Sequence, residues 1–146
     1  VVLTEECMRL ISQFESLTGA GSRDCVVDNR NERIIFVINP GDMGLAIGRG
    51  GSSIKKASDV MGKRIEVVEY SPDPGQFIRN CFLPAHVTDI DFATDAEDQP
   101  IARVEVRDED RGLAIGKAGK NIFKAKVLAQ RQHDIADVQL VQNEVA

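Results

Sequence analysis

Asp42-Met43-Gly44-Leu45-Ala46-Ile47-Gly48-Arg49-Gly50-Gly51-Ser52-Ser53-Ile54-Lys55-Lys56-Ala57 returns, 68 residues later and without a gap, as Asp110-Arg111-Gly112-Leu113-Ala114-Ile115-Gly116-Lys117-Ala118-Gly119-Lys120-Asn121-Ile122-Phe123-Lys124-Ala125. Ten of the sixteen positions are identical. An internal repeat of this length makes the chain two copies of one supersecondary unit. The same offset holds upstream, where Arg33-Ile34-Ile35-Phe36-Val37-Ile38 falls on Ile101-Ala102-Arg103-Val104-Glu105-Val106. Both runs read as strands leading into the glycine-rich segment.

Working outward, Leu3, Cys7, Leu10, Ile11, Phe14 and Leu17 recur at helical spacing behind Glu5 and Glu6, where the helix dipole favours anions. The counterpart in the second half is a shorter helix over residues 77–83, with Phe77, Ile78, Cys81 and Phe82 on one face and Pro84 as the stop. Each helix precedes a strand, expected at residues 25–28 and 87–92. Polar turns at residues 29–32 and 94–99 make each half a hairpin.

Past the glycines, Ile54, Ala57 and Met61, and in the other copy Ile122, Ala125 and Ala129, mark one face of a helix. Closing strands follow at residues 65–69 and 138–142. Each half therefore reads helix, strand, strand, short helix, glycine turn, helix, strand, an α/β (α+β) arrangement. Pro72, Pro74 and Gly75 interrupt regular structure, so the expected domains are residues 1–70 and 77–146, joined by a short link at 71–76.

Composition narrows the class. The 42% hydrophobic and 28% charged content of the 146 residues suits folded domains. No run approaches the roughly 20 apolar residues of a membrane helix, and no signal-peptide pattern opens the chain, so a cytoplasmic protein is expected. Cys7, Cys25 and Cys81 are odd in number and lack metal-site spacing; Cys7 and Cys81 read as small core residues.

The chemistry lies in the two loops. Three glycines in the four residues 48–51 cannot continue a helix, so a tight turn must separate two helices there. Such a turn presents backbone N–H groups at a helix N-terminus, where partial positive charge attracts phosphate. Arg49 and Lys117 stand inside the loops, and Lys56 and Lys124 match on the helices behind them, with Lys55 and Lys120 adding charge nearby. From residue 44 to 64 there are five basic residues and one acidic, and from 111 to 131 six basic and none acidic. The whole chain is −5, so everything outside these windows totals −15. Positive charge is thus concentrated around the loops of an acidic chain.

The pattern Gly-Leu-Ala-Ile-Gly-x-x-Gly followed by Ile54 or Ile122 resembles the KH domain, and the helix-strand preface resembles its type II arrangement. Two such modules in tandem resemble the paired KH region of the archaeal NusA-like transcription termination and antitermination proteins. The resemblance implies a three-stranded sheet in each half with helices on one face. It also implies that residues Gly48, Arg49, Gly50 and Gly51, and Gly116, Lys117, Ala118 and Gly119, clamp the backbone of single-stranded RNA, about four nucleotides per module. Bases would lie in a groove floored by Ile47 or Ile115. The transcription machinery is a further partner by family implication. Neither an OB-type barrel nor a separate polymerase-binding region is read in these residues.

Competing readings fail on spacing. The segment 112–117 lacks the four-residue gap of a P-loop, and Ala118 stands where a Mg²⁺-binding Ser or Thr belongs; Ser53 replaces the third glycine of a dinucleotide fingerprint. The acidic stretches around Asp89, Asp91, Asp95, Glu97 and Asp98, and at 108–110, lack calcium-loop spacing and read as turns. His86 and His133 have no nucleophile at a suggestive spacing. No enzyme, metal or cofactor is expected. Asp42 and Asp110 are expected to cap the short helices. Phe123 is expected either near the second loop or in the core. The non-catalytic rival is a KH-based protein-interaction scaffold or ribosome-associated factor, whose weak RNA binding would survive loss of Arg49 and Lys117.

Overall fold

The computed structural model describes residues 1–141; Gln142, the last residue of the expected closing strand, lies outside them. Two compact units result, Val1–Ser71 and a second that begins at Pro72.

In the first unit, α1 (Glu5–Thr18) starts where Thr4 Oγ1 accepts from the Cys7 N–H at 3.1 Å. It stops at Gly19, whose φ of 84° no β-carbon residue adopts cheaply. The helix lays Cys7, Leu10, Ile11, Phe14 and Leu17 on the core. Then β1 (Ser22–Asp28) and β2 (Arg33–Ile38) form the antiparallel hairpin, and Ile34, Phe36 and Ile38 meet the helices. Phe14 and Phe36 stack with ring centroids 4.4 Å apart. A short α2 (Met43–Ile47), the turn at Arg49–Gly51 and α3 (Ser52–Met61) carry the chain over to β3 (Arg64–Glu69), which runs parallel to β2. The parallel pairing is possible because this helical crossover supplies the length that a tight turn cannot. Gly62, at φ 71°, ends α3.

The second unit repeats this order with α4 (Pro74–Phe82), β4 (Val87–Thr94), β5 (Pro100–Val106), α5 (Arg111–Ile115), α6 (Lys120–His133) and β6 (Asp137–Leu140). Its sheet order, β4-β5-β6, matches β1-β2-β3. Residues 74–76, read from the sequence as part of a link, are the first turn of α4. Asp73 Oδ2 accepts from the Gln76 N–H at 2.9 Å, and Pro74 occupies the first helical position, where its missing N–H costs nothing. The same prolines that look like a break are a helix start.

The expected caps at Asp42 and Asp110 are not formed. Asp42 Oδ2 instead accepts from the Gly21 N–H at 2.9 Å, and Asp110 Oδ2 from the His86 N–H at 2.8 Å. Gly21 and His86 are the residues immediately before β1 and β4. Each aspartate therefore ties the start of its glycine-rich segment to the entry of the hairpin, in both units alike. Asp95 behaves as a turn residue, its Oδ1 accepting from the Glu97 and Gln99 N–H groups.

One polar cluster was not foreseen. Arg33, 1% exposed at the start of β2, is held by Asp28 at 2.8 Å and Glu66 at 3.1 Å. Burial alone would raise the Asp28 carboxyl, but hydrogen bonds from Asn31 and Arg33 outweigh it and hold the group below its ordinary value. In the matching register of the second unit Ala93 faces Ile101, so the Asp28–Arg33 pair has no counterpart there.

Candidate nucleic-acid interface

Both loops have one backbone shape. Gly48 and Gly116 take φ/ψ of 75°/172° and 77°/166°, a region that is essentially glycine's alone. A β-carbon on Gly48 would overlap the Ser53 hydroxyl and sit 2.7 Å from the Ser53 nitrogen; on Gly116 it would sit 2.8 Å from the Asn121 β-carbon. The loop is therefore closed by a direct approach of its first glycine to the first turn of the following helix. The third position differs: Gly50 at 61°/22° and Ala118 at 56°/26° share the left-handed region, and nothing lies within 4 Å of a β-carbon at Gly50. An alanine fits here at a cost in backbone strain only.

Each turn is fastened by the fourth residue, the Gly51 N–H donating to the Gly48 carbonyl and the Gly119 N–H to the Gly116 carbonyl, both at 3.1 Å. The N–H groups of Arg49 and Gly50, and of Lys117 and Ala118, have no acceptor among the described residues. They sit at the N-termini of α3 and α6, where uncompensated helix N–H groups favour an anion. Asn121 Nδ2 also donates to the Leu113 carbonyl at 2.9 Å, fixing the first turn of α6 against α5.

The expected site residues gather on this feature with one exception. Arg49, Lys55, Lys56 and Lys117 are exposed, and Lys120 is partly so. Ile47 and Ile115 stand at the surface directly before the loops, 39% and 37% exposed. Lys124, the repeat partner of Lys56, is only 6% exposed and is no surface cation. It belongs to the interior near Cys81, whose thiol burial pushes up to about 12 while the Lys124 charge acts the other way. The Cys25 thiol is raised by burial too, so neither is a thiolate nucleophile at neutral pH. Arg111, counted in the basic window, donates to the Val141 carbonyl at 3.0 Å.

The sequence reading missed Leu45 and Leu113, each 51% exposed beside the isoleucines. A signal was present: in a five-residue helix, Met43 and Ala46 already satisfy the core-facing i, i+3 spacing, which leaves Leu45 and Ile47 outside it. Phe123 is also exposed rather than in the core. His133 packs on Phe77, ring centroids 5.3 Å apart. Beyond the loops, β3 and β6 are edge strands in their sheets. The outer side of an edge strand carries backbone donors and acceptors that pairing within its own sheet does not use.

Two α-β-β-α-α-β units, each with a Gly-x-x-Gly turn between its second and third helices, define a tandem KH protein. Comparison agrees: the family described as "KH domain" matches residues 10–91, and "NusA-like second KH domain" matches residues 74–143. The chain is 39% identical over 138 residues to the "Probable transcription termination protein NusA" of Halobacterium salinarum, covering 94% of this chain and 96% of that one. The protein of the same description from Methanococcus vannielii is 41% identical over 138 residues, covering 94% and 78%. The crystal structure of APE1850 superposes with a TM-score of 0.84 at 37% identity, covering 95% of this chain and all of that one. The chain belongs to the NusA-like family of tandem KH proteins.

Proposed function

We propose that this chain holds single-stranded RNA on its two Gly-x-x-Gly loops and acts in the control of transcription termination or antitermination, as a binding protein and not an enzyme. The observation that carries the reading is the duplicated loop. In both units it has closely similar backbone angles, two N–H groups without an acceptor among the described residues, a cation at its second position and a helix N-terminus behind it. Phosphates would accept from those N–H groups and pair with Arg49 and Lys117. Bases would lie over Ile47 or Ile115, with β3 or β6 offering edge hydrogen bonds. The names of the relatives support the transcriptional role. In this reading the protein works in the cytoplasm, with the transcription machinery as its setting.

The test is the affinity of the chain for a random single-stranded RNA library at two salt concentrations, beside an Arg49→Asp, Lys117→Asp variant. The expected result is tight, salt-sensitive binding by the parent that the variant loses. Equal binding by both would overturn the phosphate clamp and favour a protein-interaction scaffold.

A further inference from the structure

We propose that Phe123 is the residue on which the second module stacks a nucleobase, so that the two modules read an RNA strand unequally. This rests on the RNA-binding reading above and adds a specificity-determining residue to it.

Four of the chain's six phenylalanines, Phe14, Phe36, Phe77 and Phe82, are fully buried. Phe123 is 49% exposed and lies in the first turn of α6, four residues after Gly119. The repeat sets Lys55 at the same place in the first unit. A core role is thus already refused by the fold, and a solvated helix face would take a residue like Lys55.

The direction of the side chain fits a ligand at the loop. Along an α-helix the Cα–Cβ bonds tilt toward the N-terminus, so Phe123 leans toward the turn that begins at Gly119 and Lys120. Gly119 has no side chain to cover it. One helical turn is about 5.4 Å, comparable with the reach of a nucleotide from its phosphate to its base. A phosphate on the Lys117 and Ala118 N–H groups therefore brings its own or the adjoining base to the ring. The platform is preorganised, because the Asn121 amide holds this turn of α6 against α5. Phenylalanine also loses little rotamer freedom on stacking. In the first module Lys55 offers a charge instead. The first loop should contribute mainly salt-dependent backbone affinity, and the second should add a dependence on the base.

The experiment measures binding of a defined single-stranded RNA by the full chain and by Phe123→Ala, Phe123→Leu, Phe123→Lys and Lys117→Asp variants at two salt concentrations. It is repeated with strands in which single bases are replaced by abasic sites. Phe123→Ala and Phe123→Leu should each weaken binding roughly tenfold, within the range for loss of one base–aromatic stack. Neither should change the salt slope, because no phosphate contact is lost. Removing one particular base should cost the parent the same factor and cost Phe123→Ala nothing further, the mark of a direct partner. Circular dichroism confirms that the variants fold. Parent-like affinity of Phe123→Ala, with binding lost in Lys117→Asp, overturns the stacking role and leaves the RNA clamp standing. No RNA binding by the parent overturns both.

Discussion

Replacing Gly48 by alanine should cost far more than replacing Gly50, although the two are neighbours in one loop. At Gly48 an alanine must hold a backbone conformation of φ 75°, ψ 172°, worth about 1–3 kcal/mol of strain. It must also push its β-carbon into Ser53, whose backbone nitrogen lies 2.7 Å away, an overpacking worth about 1–3 kcal/mol. The sum is about 2–6 kcal/mol, a large part of the 5–15 kcal/mol typical of a whole domain. At Gly50 the β-carbon meets nothing within 4 Å, and the left-handed backbone alone costs about 1 kcal/mol. The second unit already carries Ala118 in that conformation. Urea unfolding followed by fluorescence of Tyr70, the chain's one tyrosine, reports on the first unit, because the chain contains no tryptophan. With a slope of about 1 kcal/mol per molar urea, Gly50→Ala should lower the midpoint by about 1 M and Gly48→Ala by at least twice that. Equal midpoints for the two variants would refute the closed-loop geometry.

Three further outcomes follow from the same structure. Arg33→Ala should destabilise the first unit by about 3 kcal/mol, because it strands the buried Asp28 carboxylate and the partly buried Glu66 carboxylate; the triple change Asp28→Ala, Arg33→Ile, Glu66→Gln, which copies the second unit, should recover most of that loss in the same urea titration. Asp28 and Asp137 have carboxyls held below their ordinary value: burial raises each, and hydrogen bonds from Asn31 and Arg33, or from Gln139 and Lys126, outweigh it. Their stabilising contribution is therefore complete above the unfolded value near pH 4 and is lost as pH falls through the lower folded values; thermal melts from pH 5 to pH 2 should show this decline, and Asp28→Asn should flatten it. Lys56→Ala should reduce the salt slope of RNA binding by about 0.7, one phosphate contact on a single strand. Lys124→Ala should leave that slope unchanged and lower the melting temperature instead, since the side chain is interior.

The repeat made most of the architecture legible, because glycine at a fixed spacing is a statement about backbone angles. Gly48 and Gly116 could be nothing else, and the loops, the helices that flank them and the parallel closing strands follow from placing them. What escaped the sequence is set by tertiary distance. Asp42 and Asp110 look like caps when judged by their three following residues, yet each reaches a backbone N–H more than twenty residues earlier. Lys124 aligns with Lys56, each with an isoleucine two residues before it and an alanine directly after. Its burial comes from the packing of the second unit, where it lies near the buried Cys81 of α4. The early start of α4 was hidden by reading Pro74 as a breaker, when an aspartate directly before a proline is also the signature of a helix N-terminus. The Arg33 cluster joins residues from three strands, and no local pattern announces it.

The most direct test of the central claim is an amide-resolved NMR titration of the chain with single-stranded RNA. The largest shifts should fall on the N–H groups of Arg49, Gly50, Lys117 and Ala118, with smaller ones on the first turns of α3 and α6. Shifts confined to the acidic hairpin of β4 and β5, with both loops silent, would contradict it.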